Sequence, residues 1–277
     1  MSSSLPTLNC GFIGLGDQGA PIAWRMIEAG FPTRLWARRE ASLAPFATSG
    51  ATVARDIAEL GATCAHIGIC VVDDAGVAEV CAKLIPAMAQ GSVIAIHSTV
   101  SAALCQQLAI KAAERKIILI DAPVSGGAPA AKTGTLTVMV GGSADGFAKA
   151  RPVLASFGGL IVHLGDVGAG QCAKLINNTL LAANLTATQN ALDAGGALGL
   201  DRGAMAKLLK VSTGGSYALG IVANLPGLGA FAHGGALLRK DADLLVQLLP
   251  SNVALNALRN AAIPFLEAVN KAAKVTN

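Results

Sequence analysis

Charge is scarce in this sequence. Asp, Glu, Lys and Arg make up 14% of its 277 residues, and 21 basic against 17 acidic side chains leave a net charge of +4. So small a surplus excludes chain-wide attraction to nucleic acid or to a membrane surface, and any basic site must be local. Long apolar runs are also missing. Although 53% of the residues are hydrophobic, no stretch approaches the roughly 18 uninterrupted apolar residues of a membrane span. The opening MSSSLPTLN has neither the basic flank nor the apolar core of a secretory signal, so a soluble, cytoplasmic protein is expected. The six cysteines (Cys10, Cys64, Cys70, Cys81, Cys105, Cys172) show no paired metal spacing and read as reduced core thiols. The four histidines (His66, His97, His163, His233) lack the helical H-x-x-x-H spacing, and no metal is assigned.

What is present is alternation. Strand-like runs LNCGFIG, TRLWA, HIGICVV, SVIAIH and KIILIDAPV are separated by helical patterns, and GTLTVMVGG and GLIVHLG complete the series near Gly165. Such alternation predicts a parallel sheet with crossover helices. Strand signals then stop. From Gly168 to about Gly199 the chain reads as one long helix, apolar on every face and therefore surrounded by protein. Further helical segments follow, broken by the connection PGLGAFAHGG and by Pro250 and Pro264. The expected class is α/β: a Rossmann-type, doubly wound, mainly parallel sheet over residues 1–166, then a helical domain over 167–277 that begins with the long helix.

GFIGLGDQGAPIAWRMIEAG sets Gly14, Gly16 and Gly19 in the G-x-G-x-x-G arrangement between the first strand and the first helix. In that setting the glycines serve a tight turn, close approach of backbone to a pyrophosphate and close helix packing, and the helix N-terminus offers N–H groups to the anion. Asp17 and Gln18 lie within the same turn. An NAD site normally ends its second strand with an acid that binds the ribose 2′-hydroxyl; here Ala37 stands there, followed by Arg38 and Arg39. Guanidinium groups pair with a 2′-phosphate through directed hydrogen bonds, which favours NADP over NAD. The plainer reading of Arg38 and Arg39 is solvated loop charge.

GQCAKLINN, residues 170–178, sets Lys174 and Asn178 four residues apart on one face of the long helix. A lysine in apolar surroundings can exchange protons near neutrality; a lysine snorkelling to the surface fits the same residues. DAPVSGG, residues 121–127, follows a strong strand and offers the Ser125 hydroxyl with the N–H groups of Gly126 and Gly127 in a turn suited to a carboxylate, and a plain strand-to-loop turn fits the same residues.

With GFIGLGDQG, HSTVS (97–101), DAPVSGG, GQCAKLINN and RKDADL (239–244) in this order, the sequence resembles the β-hydroxyacid dehydrogenase family over essentially its whole length. The resemblance implies an interdomain active site and dimers or tetramers formed through the helical part. It implies Lys174 as the catalytic lysine, Asn178 as its assistant, and Ser125, Gly126 and Gly127 as the carboxylate turn. Thr99 would line the nicotinamide end, Val72 would lie in a cofactor-contacting turn, and Lys240 would approach the cofactor from the C-terminal domain. Hydride transfer between NADP(H) and a small hydroxy acid or its carbonyl partner is the implied reaction, with Lys174 as general acid and base. Gln18 replaces a frequent methionine, and Ile96 replaces an acid. The stretch SYALGIVANLPGLGAFAHGG is unfamiliar, so the substrate stays open. Imine reductases share the architecture but generally replace the lysine. The 6-phosphogluconate branch needs a longer helical region. A non-catalytic NADP-binding module leaves Lys174, Asn178 and Ser125 without purpose.

Overall fold

The computed structural model describes residues 8–275; the polar opening, residues 1–7, lies outside the described residues. The first half alternates as expected. β1 (Cys10–Ile13) leads to α1 (Gly19–Glu28), then β2 (Thr33–Trp36), β3 (Thr52–Val53), α2 (Ile57–Thr63), β4 (His66–Ile69), α3 (Asp74–Leu84) and β5 (Val93–Ile96). There follow α4 (Ala102–Ala113), β6 (Ile118–Asp121), β7 (Val124–Ser125), α5 (Gly127–Thr133), β8 (Leu136–Gly141), α6 (Ala144–Leu154) and β9 (Gly158–Gly165). Side chains start several of the helices. Asp56, Asp73, Ser101 and Ser143 each accept the backbone N–H three residues on, at α2, α3, α4 and α6, satisfying donors that a helix start leaves open.

Strand order is β3-β2-β1-β4-β5-β6, all parallel, so the winding reverses between β1 and β4, where such sheets bind ligands. Beyond β6 the sheet adds β8 antiparallel, with β7 antiparallel and β9 parallel to it. Both faces are covered. Successive residues of β1 divide between them: Phe12 belongs to the core cluster that holds Ile22, Val138 and Phe157, whereas Ile13 belongs to the one that holds Ile67, Leu84 and Ile94, the period-two consequence of a pleated strand.

The chain divides into compact units Met1–Lys174 and Leu175–Asn277. α7 (Ala169–Ala197) runs through that boundary. The second unit continues with α8 (Arg202–Val211), α9 (Tyr217–Val222), α10 (Ala232–Leu248) and α11 (Val253–Val275). Its core joins Leu185 and Leu192 of α7 to Leu219, Leu238, Phe265 and Val269. Among the described residues no helix is long and apolar enough to cross a membrane.

Several expectations need correction. Pro264 does not end a helix but lies inside α11. The segment AHGG is not connection; it forms the start of α10. α7 is not enclosed on all sides in the single chain, since Ile176 and Leu180 are 44% and 48% exposed. Cys172 is half-buried, whereas the Cys70 thiol is enclosed, and burial pushes its pKa up to about 12. Ser125 belongs to a short strand rather than to the turn itself.

Candidate active site

The carboxyl ends of β1, β4, β5 and β6 bring four sequence motifs into the first unit's loops. Gly14 has φ +95°, and a side chain there would strike the Cys70 carbonyl; one at Gly19 would strike the Gly14 carbonyl. Around Gly16 nothing lies within 4 Å of where a Cβ would stand, so backbone is open to a ligand at the head of α1. Gln18 Nε2 is buried, with no hydrogen-bond partner among the described residues. A buried donor left unmade costs about 1–3 kcal/mol, and a phosphate or ribose oxygen is an acceptor of the required kind. The turn therefore fits a dinucleotide.

A cavity of about 870 Å³ flanks the turn, lined by Gly16, Asp17, Arg39 and Lys132 among others. The two arginines after β2 differ. Arg38 pairs with Glu79 of α3 at 3.0 Å, whereas Arg39 faces the cavity.

Hydrogen bonds tie the neighbouring loops together. After β4, Val72 stands 85% exposed, and the preceding Val71 N–H donates to Ser98 Oγ at 2.8 Å. Ser101 caps α4 and also binds the Asp74 carboxylate of α3. His97 is buried, donates from Nδ1 to the Ala122 carbonyl at 2.8 Å and stacks on Phe12; it is a structural strand-end residue. Burial holds its pKa down to about 4, against the Ala122 hydrogen bond. Half-buried Thr99 sits between these anchored residues. Ser125 lies opposite Thr137 of β8; Gly126 and Gly127, with φ +123° and +67°, form the turn into α5.

The start of α7 is held by Asp121, which is fully buried. Its carboxylate accepts the Gly168 N–H at 2.7 Å and the Gln171 N–H at 2.8 Å. Burial raises its pKa, and the backbone N–H bonds oppose that shift. Lys174, half-buried, follows one turn later and ends the first unit.

In the second unit Asn178 has both ends of its amide engaged. Nδ2 donates to the buried Asp241 at 2.7 Å, and Oδ1 accepts from Asn177 at 3.1 Å. Lys240 of α10 is 3.6 Å from the Asp241 carboxylate. The sequence motifs single out Lys240 but not Asp241 beside it, and Lys174 but not Gln171 or Asp121. A lone acid closing the apolar strand IILID was the available signal for Asp121.

A nucleotide cradle at the switch point of a doubly wound sheet, followed by a long lysine-bearing helix, defines the class: a dinucleotide-binding oxidoreductase. Residues 9–165 match the family model described as the NAD binding domain of 6-phosphogluconate dehydrogenase, and residues 168–273 match the one described as NAD-binding of NADP-dependent 3-hydroxyisobutyrate dehydrogenase. The chain belongs to the β-hydroxyacid dehydrogenase family. Relatives include the NAD-dependent L-serine dehydrogenase and the 3-hydroxyisobutyrate dehydrogenase of Pseudomonas aeruginosa. Each is 35% identical, with 78% of this chain and 74% of the relative covered. The 2-(hydroxymethyl)glutarate dehydrogenase of Eubacterium barkeri is 36% identical, over 77% of this chain and 72% of the relative. Among solved structures, the 3-hydroxyisobutyrate dehydrogenase of Mycobacterium tuberculosis with L-serine superposes at a TM-score of 0.83 and 27% identity, covering 95% of this chain and 94% of that one.

Proposed function

We propose that this protein is an NADP(H)-dependent dehydrogenase of 2-substituted 3-hydroxypropanoates, interconverting a primary alcohol and its semialdehyde. The observation that carries the reading is the pairing, within Met1–Lys174, of a turn open at Gly16 and lined by the buried donor of Gln18 with a lysine one turn into an anchored helix. The substrate class follows from the relatives. L-Serine, 3-hydroxyisobutyrate and 2-(hydroxymethyl)glutarate share a hydroxymethyl group on the carbon next to a carboxylate and differ in the third substituent.

The turn Gly14–Gly19, with Asp17 and Gln18, would hold the pyrophosphate and its sugars; Val72 and Thr99 would border the nicotinamide, and Lys240 is a further proposed cofactor residue. The bound nicotinamide supplies hydride acceptance or donation. Ser125 and the N–H groups of Gly126 and Gly127 would hold the carboxylate and so fix the hydroxymethyl carbon. Lys174, as the neutral amine, takes the hydroxyl proton while hydride leaves the carbon. In reduction its ammonium returns that proton to the carbonyl oxygen. Positioned proton transfer of this kind contributes about 10²- to 10⁴-fold in rate. Asn178, its amide set by Asp241 and Asn177, presents a fixed polar group on the next turn of α7. NADP preference rests on Arg39 with Ala37 in place of an acid. The exposed Ile176 and Leu180 support assembly of two or four copies through the helical part.

Initial rates with L-serine, 3-hydroxyisobutyrate and 2-(hydroxymethyl)glutarate, each with NADP⁺ and NAD⁺, test the reading. Turnover of at least one, with kcat/KM higher for NADP⁺, is expected. No turnover of any with either cofactor refutes the substrate class, and an NAD⁺ preference refutes the role of Arg39.

A further inference from the structure

Gln171 lies three residues before Lys174 on α7 and is fully buried. Its side chain reaches across to the loop after β5. Nε2 donates to the Ser98 carbonyl at 2.8 Å, and Oε1 accepts the Val100 N–H at 3.2 Å. These two backbone groups flank Thr99 on either side. The amide can sit only one way, because a flipped group would set NH₂ against N–H and oxygen against carbonyl. At the other side of the same helical turn, Asp121 accepts the Gln171 N–H itself. Its carboxylate fits a slot made by glycines, since a side chain at Gly141 or Gly170 would strike it. From Asp121 the chain runs four residues to Ser125. One turn of α7 is thus bonded both to the loop bearing Thr99 and to the strand that leads to Ser125.

We propose that Gln171 and Asp121 are positioning residues for the proton transfer: together they fix the turn preceding Lys174 against the nicotinamide-side loop and the carboxylate turn. The inference rests on the reading of Lys174 as the proton-transferring group. A buried amide with both ends satisfied has little freedom to relax, and misplacement of a reacting group by about 1 Å costs on the order of 100-fold in rate. Residues i and i+3 share a helix face, so a shift of the Gln171 anchor is carried to the Lys174 backbone.

The test is a double-mutant cycle on single-turnover hydride transfer, using whichever of 3-hydroxyisobutyrate and L-serine turns over faster with NADP⁺. In the wild-type background Gln171→Leu is expected to lower the rate by about 10- to 100-fold, with substrate KM and NADPH affinity within about threefold. In the Lys174→Ala background the same change is expected to alter the rate by less than about twofold, because residues acting as a unit are not additive. Gln171→Glu keeps an acceptor for Val100 but sets oxygen against the Ser98 carbonyl, and should fall between wild type and leucine. Equal losses in both backgrounds, or no loss in the wild type, overturn the proposal. If Gln171→Leu does not fold, Gln171→Glu and Asp121→Asn go through the same cycle under the same criteria. Full activity of Lys174→Ala alone would overturn the reading of Lys174 instead, a result separable from failure of the positioning role.

Discussion

At the scale of single residues, charge placement separates side chains that look equivalent in sequence. Arg38 pairs with Glu79 at the exposed surface, whereas Arg39 faces the cavity beside Gly16 and Asp17. A charge-assisted hydrogen bond contributes about 1.5–3 kcal/mol, so Arg39→Ala should weaken NADP⁺ binding by roughly 10- to 100-fold and leave NAD⁺ binding within about threefold. Arg38→Ala should affect both little. Titration calorimetry with both dinucleotides decides this, and equal weakening of NAD⁺ would contradict it. His66 and His97 govern a second prediction. Burial pushes the pKa of His66 from 6.5 down to about 3 and that of His97 to about 4, so the unfolded chain takes up protons first as the pH falls. The stability these neutral histidines retain at pH 7 is lost progressively below about pH 6.5, at about 1.4 kcal/mol per pH unit for each. The raised carboxyl pKa of Asp121 acts in the opposite sense. Urea unfolding at pH 7 and pH 5 should show a drop of about 4 kcal/mol, reduced by roughly half in His97→Asn. A stability independent of pH over that range would count against two buried neutral imidazoles.

At the scale of elements, α7 and α11 show what patterning conveys and what it omits. The length of α7 was legible because no proline or turn signal interrupts residues 169–197, but its surroundings were not, because an all-apolar helix looks the same whether its outer face meets its own chain or another. On the proposed assembly through this face, glutamate at both Ile176 and Leu180 is expected to leave the mass of one chain in sedimentation equilibrium, against two or four for the unaltered protein, while circular dichroism stays unchanged. An unaltered mass would show that assembly does not use this face. In α11 the local rule failed at Pro264. Proline inside a helix costs about 3 kcal/mol, yet Phe265, Leu266 and Val269 beyond it are buried, and burying side chains of that size contributes about 1.5–3 kcal/mol each. Strands of two residues, β3 and β7, carry no periodicity to read. The anchoring roles of Gln171 and Asp121 were invisible for another reason: their partners lie about 50 to 70 residues away along the chain.

At the scale of the whole molecule, the sequence showed the order of its parts, since five motifs fall in register with the ends of β1, β5 and β6 and with α7 and α10. The first unit alone assembles the dinucleotide turn, Thr99, Ser125 and the anchored start of α7, with Lys174 as its final residue. On the proposed mechanism, NADPH binding and proton transfer are separable by mutation. The decisive measurement is single-turnover hydride transfer by Lys174→Ala alongside its NADPH dissociation constant. A rate lower by about 10² to 10⁴, with NADPH binding within about threefold, is expected if Lys174 moves the proton. Undiminished hydride transfer, or a loss that merely tracks weaker NADPH binding, would contradict that role.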